Sequence, residues 1–347
     1  MYTSKLRSYD IDLELPEADR WAEVIEREAA PARKLAKQAI ADINAAVDGA
    51  APTWVPTSLK HGLLKSASQV FRHAYKLAGG RYVDEMDAWA TALGVPLGHA
   101  VLLNCTYELS GMCTVGAVHS DALGMVHVRT LDWPLPAIGT ATRLFRFHRG
   151  AHQFVAVGIV GHVGVLSGMV PGAYSVTINW APPDGTPSLF DFGPAFLLRE
   201  VLETCPTYSE AVSALRAMRL AAPVFYFVCG AEPGQACVIE RTCEEAAVRK
   251  MTAATLVHAN HHMTRRFSHR NSVLRTFDPA TEEMTRMAYS QTRADALDEA
   301  LRGLGSKSTI DDVARCLDVE PVFNDDSYQQ MVFVPATGEV KVWRWIP

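Results

Sequence analysis

Cys113 stands in the stretch Asn104-Cys-Thr-Tyr-Glu-Leu-Ser-Gly-Met-Cys-Thr-Val-Gly116, and Val128-Arg-Thr-Leu-Asp-Trp-Pro134 follows a short turn later. If the peptide bond between Met112 and Cys113 were opened, residue 113 would carry both a thiol nucleophile and a free α-amine. The unperturbed pKa of an α-amine is about 7.7 to 8.0 and that of a thiol about 8.5, so the amine is matched to accept the thiol proton near neutral pH. A guanidinium nearby would stabilise negative charge on the sulfur. A tetrahedral intermediate would need preorganised donors, a task that asparagine amides can perform.

The elements that must position these groups are short. Thr114 to His119 is β-rich, Asp121-Ala-Leu-Gly124 carries turn chemistry, and Met125 to Leu131 is again extended, so the segment predicts an antiparallel hairpin. Pairing Ser120 with Met125 sets Asp132 directly opposite Cys113, at a Cβ separation of roughly 4.5 to 5.5 Å. In that register Arg129 falls opposite Gly116, on the other face from Cys113, and would need a bulge to reach the sulfur.

Several fragments, in order, resemble one family. They are Leu103-Asn-Cys-Thr-Tyr-Glu-Leu-Ser110, Cys113-Thr114, Arg129-Thr-Leu-Asp-Trp-Pro134, Gly164-Val-Leu-Ser-Gly168, Tyr226-Phe-Val-Cys-Gly230, His258-Ala-Asn260 and Val322-Phe-Asn324. The opening, Tyr9-Asp-Ile-Asp-Leu-Glu-Leu15 followed by Pro16-Glu-Ala-Asp-Arg-Trp21, is similar as well. Together they resemble the N-acylethanolamine acid amidase and acid ceramidase group of the choloylglycine-hydrolase superfamily, which are N-terminal-nucleophile hydrolases.

The resemblance implies an α+β four-layer αββα sandwich and self-cleavage after Met112. Residues 1–112 would form a mainly helical small subunit and 113–347 the catalytic large subunit. It implies Cys113 as nucleophile, with Arg129 near the sulfur and Asp132 on the new amine. Asn260 would serve the oxyanion, Asn179 would assist, and Arg270 would complete the polar cluster. The implied substrate is a small-molecule acyl amide, most simply a fatty-acyl amide such as an N-acylethanolamine or a ceramide. No cofactor is implied, and the cleaved N-terminal fragment is the implied protein partner. Within the superfamily, acyl transfer or cleavage of bile-salt or acyl-lactone amides are alternatives, and an unprocessed binding protein is a third. One departure stands out: where ceramidase-like members tend to have Asn followed by Glu and Arg, this chain reads Asn179-Trp180-Ala181.

Composition excludes other classes. The chain has 347 residues, 48% hydrophobic, with a net charge of -5, which leaves no basic footprint for nucleic acid. Seven cysteines, an odd number without a CxxC pair, argue against a disulfide framework or a zinc ribbon. With no apolar leader in the first residues, the expectation is a reduced, cytoplasmic and bacterial protein. The apolar run Phe154 to Val170, broken by Gly161-His162, predicts two buried strands rather than a membrane span, which needs about 20 apolar residues. His258, His261 and His262 have a spacing that could hold a metal, but no carboxylate or cysteine ligand is evident beside them, so none is assigned. There is no GxSxG elbow. Trp133, Trp180, Phe190 and Phe192 carry no assigned role.

Along the chain, alternation over Tyr9 to Leu15 predicts a strand, and Pro16 opens a helical pattern that Pro31 kinks or restarts. Helices are expected at 59–77 and 83–93. Beyond Cys113 strands are expected at 113–119, 125–131, 143–149, 152–160, 163–169 and 173–179, then 224–230, 235–241, 246–250 and 254–259, and finally 329–335 and 340–345. Helices are expected at 194–204, 208–219, 267–277, 293–303 and 309–316. This order predicts two stacked antiparallel sheets covered by helices.

Overall fold

A computed structural model describes residues 2–3, 5–50, 80, 82–105, 111–183, 191–275 and 285–346. The helix expected at 59–77, and Phe190, lie outside the described residues.

Two sheets stack face to face. The first has six strands in the order β1 (Tyr2–Thr3), β14 (Glu339–Trp345), β13 (Ser327–Val334), β4 (Gly124–Asp132), β3 (Met112–Ser120) and β12 (Thr255–His258). The second runs β11 (Ala246–Lys250), β10 (Ala236–Arg241), β9 (Val224–Gly230), β8 (Tyr174–Trp180), β7 (Ser167–Val170), β6 (His152–Ile159), β5 (Thr142–Arg149) and β2 (Ser8–Asp12). All neighbouring pairs are antiparallel except β2 with β5. The expected αββα sandwich is therefore present. Residues 1–112 also enter both sheets, β1 pairing with β14 and β2 with β5.

Helices cover the outer faces. On the second sheet lie α1 (Ala22–Ala50), α2 (Val83–Leu93) and α3 (Leu97–Cys105), with α5 (Pro194–Thr204) and α6 (Tyr208–Ala217) beside them; a short α4 (Ala137–Ala141) links β4 to β5. Trp21, Trp89, Phe145 and Phe147 form one aromatic cluster that seats α1 and α2 on β5, with Trp21 edge-on to Phe145 at 5.1 Å. Contacts of this kind add about 0.5 to 1.5 kcal/mol each beyond area burial. On the first sheet α7 (Arg286–Arg302) and α8 (Ile310–Arg315) bury Leu297, Leu301, Ile310 and Val313 against Val118, Val126 and Val128.

Differences from the sequence reading have local causes. Pro31 neither breaks nor restarts α1, which runs unbroken through it, and the helix begins at Ala22 rather than near Pro16. The helix expected at 267–277 is a 3-10 helix over Ser268–Arg275. Helix α7 starts a turn or two earlier than expected because Thr285 caps it, its side chain accepting from the Ala288 N–H at 3.2 Å. Helices α3 and α4 were not expected.

Candidate active site

The hairpin that carries Cys113 closes one residue tighter than the turn chemistry suggested. Gly124 takes φ +75°, the left-handed conformation, and pairs with Ser120, leaving a three-residue loop over Asp121–Leu123. A one-residue shift exchanges every facing pair. Cys113 therefore lies opposite Leu131, Arg129 opposite Val115, and Asp132 opposite Met112. This corrects the expected pairing of Cys113 with Asp132. It also puts Arg129 on the same face as Cys113, so its side chain reaches the sulfur diagonally without any bulge.

On that inward face Arg129 is fully buried and spans the gap between the sheets. Its Nη2 lies 3.2 Å from Cys113 Sγ, its Nη1 donates to the Leu166 carbonyl at 3.1 Å, and it also binds the Ser167 hydroxyl. These bonds to β7 and its lead-in fix the guanidinium against the sulfur. Two residues along, His127 bridges to the same sheet through Ser175 at 2.8 Å and Thr177 at 3.2 Å, packed between Phe227 and Phe333.

The backbone of Cys113 is held by side chains where a strand would be expected. Strand β12 stops at His258, paired with Val115. Two residues further on, the Asn260 side-chain oxygen accepts the Cys113 N–H at 2.9 Å, and its Nδ2 donates to the Trp180 carbonyl at 2.8 Å. The Cys113 carbonyl accepts from Arg293 Nη1 at 2.9 Å and from Asn179 Nδ2 at 3.4 Å. Arg293 also donates to Asn260 Oδ1 at 2.8 Å and Thr114 Oγ1 at 2.8 Å. On that edge side chains rather than a neighbouring strand bond the Cys113 N–H and carbonyl. A cavity of about 140 Å³ opens there, lined by Gly111, Met112, Trp180, Asn260 and Arg293 among others.

Asp132 lies on the opposite face, across from Met112. It accepts from Ser327 Oγ at 2.7 Å and Thr130 Oγ1 at 3.2 Å, and Arg293 stands 3.5 Å away, all without exposure to solvent. Burial pushes the Asp132 carboxyl above the usual range, against the pull of Arg293, Ser327, Asn324 and Thr130. Arg270, expected in this cluster, sits on the 3-10 helix with its guanidinium carbon 5.4 Å from the Phe267 ring. Arg293 is the guanidinium that bonds the Cys113 carbonyl and Asn260.

The sequence reading missed Arg293, Ser290, Ser327 and Thr130. A signal for the first two was present: Ser290, Arg293, Ala294, Leu297 and Leu301 form one buried stripe of α7, and a serine and an arginine on such a stripe are conspicuous. Ser290 accepts from the Asn260 N–H at 2.8 Å and so fixes the turn after β12. The histidines around Asn260 are engaged elsewhere. His262 meets Glu240 at 3.1 Å and His261 meets Ser290 at 2.8 Å. Among the described residues no group of three His, Cys, Asp or Glu side chains is placed to hold a metal.

Two stacked, helix-covered and mainly antiparallel sheets, with a cysteine at the start of an interior strand and its sulfur facing the inter-sheet layer, define the N-terminal-nucleophile hydrolase fold class. The chain belongs to the acyl-coenzyme A:6-aminopenicillanic acid acyl-transferase family, whose model matches residues 140–320, a stretch that includes Asn179, Asn260 and Arg293. The chain is also similar to acid ceramidases. It is 27% identical over 270 residues to acid ceramidase of Mus musculus, covering 71% of this chain and 66% of that protein. The match to acid ceramidase of Rattus norvegicus has the same identity over 271 residues, with the same coverage. The chain thus spans slightly less than two thirds of the length of these relatives. Among solved structures, an N-acylethanolamine-hydrolyzing acid amidase ortholog from Caenorhabditis elegans superposes with a TM-score of 0.52 at 24% identity, covering 67% of this chain and 100% of that one.

Proposed function

We propose that this chain is a self-cleaving cysteine amidase that hydrolyses the linear carbon–nitrogen bond of an N-acylated small molecule, with a fatty-acyl amide of the N-acylethanolamine or ceramide type as substrate. The observation that carries this reading is the double grip on Cys113: Arg129 stands 3.2 Å from its sulfur while Asn260 holds its backbone nitrogen at 2.9 Å.

In self-cleavage the sulfur attacks the Met112 carbonyl carbon, the carbon–nitrogen bond breaks, and the departing nitrogen takes a proton to become the α-amine of Cys113. Water then hydrolyses the thioester, releasing the Met112 carboxylate and restoring the thiol. Departure of Met112 vacates the position opposite Asp132, which leaves that carboxylate to hold the new amine. With an acyl amide the same sulfur attacks the substrate carbonyl, the amine leaves with a proton delivered by the α-amine, and water completes the cycle. Asn260 and Asn179 are the donors for the oxyanion, and Arg293, braced by Asp132, holds Asn260 and the Cys113 backbone in register. Residues 1–112 remain as the small subunit.

Acyl transfer to a second amine is the alternative, supported by the acyl-transferase family to which the chain belongs. No disulfide joins Cys113, Cys205, Cys229, Cys237, Cys243 and Cys316, which supports a reducing compartment, and no described helix is long and apolar enough to cross a membrane. A denaturing gel with N-terminal sequencing tests the reading: wild-type protein is expected as fragments 1–112 and 113–347, the larger beginning with Cys113, and Cys113→Ala as an intact chain without activity. Amine release from acyl amides, with and without acceptor amines, separates hydrolysis from transfer. An uncleaved chain that only binds ligand would overturn both.

A further inference from the structure

A second cavity, of about 340 Å³, lies away from Cys113 and is walled by Arg7, Arg27, Glu28, Thr140, Arg143 and Arg344. Its charges do not balance. Glu28 is the only carboxylate among these lining residues, and its acceptor capacity is taken: Oε1 receives Tyr9 Oη at 2.6 Å, Arg143 Nε at 2.7 Å and Arg7 Nη1 at 3.3 Å, and Oε2 receives Arg143 Nη2 at 2.5 Å. Arg344 donates instead to the backbone carbonyls of Gly139 at 3.1 Å, Thr140 at 3.5 Å and Lys5 at 3.4 Å. Its Nε is buried and has no hydrogen-bond partner among the described residues. Arg27, at the rim, pairs with the exposed Glu23 at 3.2 Å.

The arrangement is built into the fold. A Cβ on Gly139 would come within 1.7 Å of the Trp345 carbonyl oxygen, so only glycine lets the last strand approach closely enough for Arg344 to lie over α4. The result is a concentrated positive site on a chain whose net charge is -5. Converging guanidinium groups call for an anion bearing several acceptor oxygens. We propose that this cavity binds a phosphate-type oxyanion, either the free ion or a phosphate monoester. Because Arg7 and Arg27 come from the segment before Cys113 and Arg143 and Arg344 from the segment after it, the bound anion ties the two together.

Calorimetric titration of the full chain with inorganic phosphate, and separately with glycerol phosphate, tests this against sodium chloride at matched ionic strength. A saturable one-site heat and a melting temperature that climbs with ligand concentration are expected for one or both ligands, the tighter of the two identifying the form recognised. Arg344→Gln and Arg7→Gln should each weaken binding about tenfold or more, as loss of a charge-assisted hydrogen bond implies. The Arg7 side chain is 68% exposed, so Arg7→Gln carries the test even where Arg344→Gln fails to fold. Heats no larger than those of chloride for both ligands, or unchanged affinity in Arg7→Gln, overturn the proposal.

Discussion

Around Cys113 two guanidinium groups divide the work by face: Arg129 meets the sulfur in the layer between the sheets, and Arg293 meets the carbonyl from the side covered by α7. The second has no solvent to fall back on, because Arg293 and Asp132 are both fully buried. Arg293→Gln is therefore expected to slow self-cleavage roughly 100-fold to 1,000-fold, the range seen when a preorganised donor is removed, and to cost about 3 to 5 kcal/mol of stability by stranding a buried carboxylate. Arg270→Gln, in contrast, should cleave at the wild-type rate. Time courses on gels and urea melts of both variants check this, and the reverse ranking would refute the assignment of Arg293. Cys113, Arg129, Asp132 and Asn260 were legible as residue types. Their facing was not, because a three-residue loop closed by a left-handed glycine and a four-residue loop read alike in Asp121-Ala-Leu-Gly124.

Among the elements, α2 and α5 are joined by charge rather than by apolar contact alone. Glu85 on α2 accepts Arg199 Nη2 from α5 at 2.7 Å, and also Arg20 at 2.9 Å and Trp21 Nε1 at 2.5 Å, while the Arg199 guanidinium lies 4.0 Å over the Tyr82 ring. Burial alone would raise the Glu85 carboxyl, but Arg199 and its other partners hold it below the usual range. Neither member is exposed, so Glu85→Ala leaves the buried Arg199 with Glu203, at 2.8 Å, as its remaining carboxylate and should cost toward the lower end of about 3 to 5 kcal/mol. In cleaved protein the same change should loosen residues 1–112, which supply Arg20, Trp21 and Glu85, from residues 113–347, which supply Arg199. Size-exclusion chromatography in mild denaturant reads that loss; retention identical to wild type would show that the aromatic cluster alone suffices.

For the whole molecule, the interior is hostile to protonated imidazole. Burial pushes His127 down to about 3 and His261 to about 4, and holds His258 well below its ordinary value. In the unfolded chain each returns to about 6.5. Above that pH both states are neutral and the three contribute nothing to pH dependence. Below it the unfolded chain binds protons that the folded one refuses, so stability falls as pH drops from 6.5 toward 4, by up to about 1.4 kcal/mol per histidine for each pH unit. Melting temperatures measured from pH 7.5 to pH 5 should decline steadily below pH 6.5. A flat or rising profile would mean that these imidazoles are not sealed in the folded chain.

What the amino-acid order determined by itself was the alternation, the breakers and the motif spacing. The strand runs, the helices at 83–93 and 194–204 and the reactive stretch around Cys113 followed from those, because periodicity and turn chemistry are local properties. Tertiary structure decided the rest. Whether Arg129 faces the sulfur depends on one residue of register, and which arginine closes the cluster depends on the face of α7 that packs on β3. That Arg7 and Arg344, at opposite ends of the sequence, share a cavity depends on β1 and β14 lying side by side. Each of these is a long-range pairing, selected by the burial and hydrogen-bond balance of the entire fold rather than by any short window of residues.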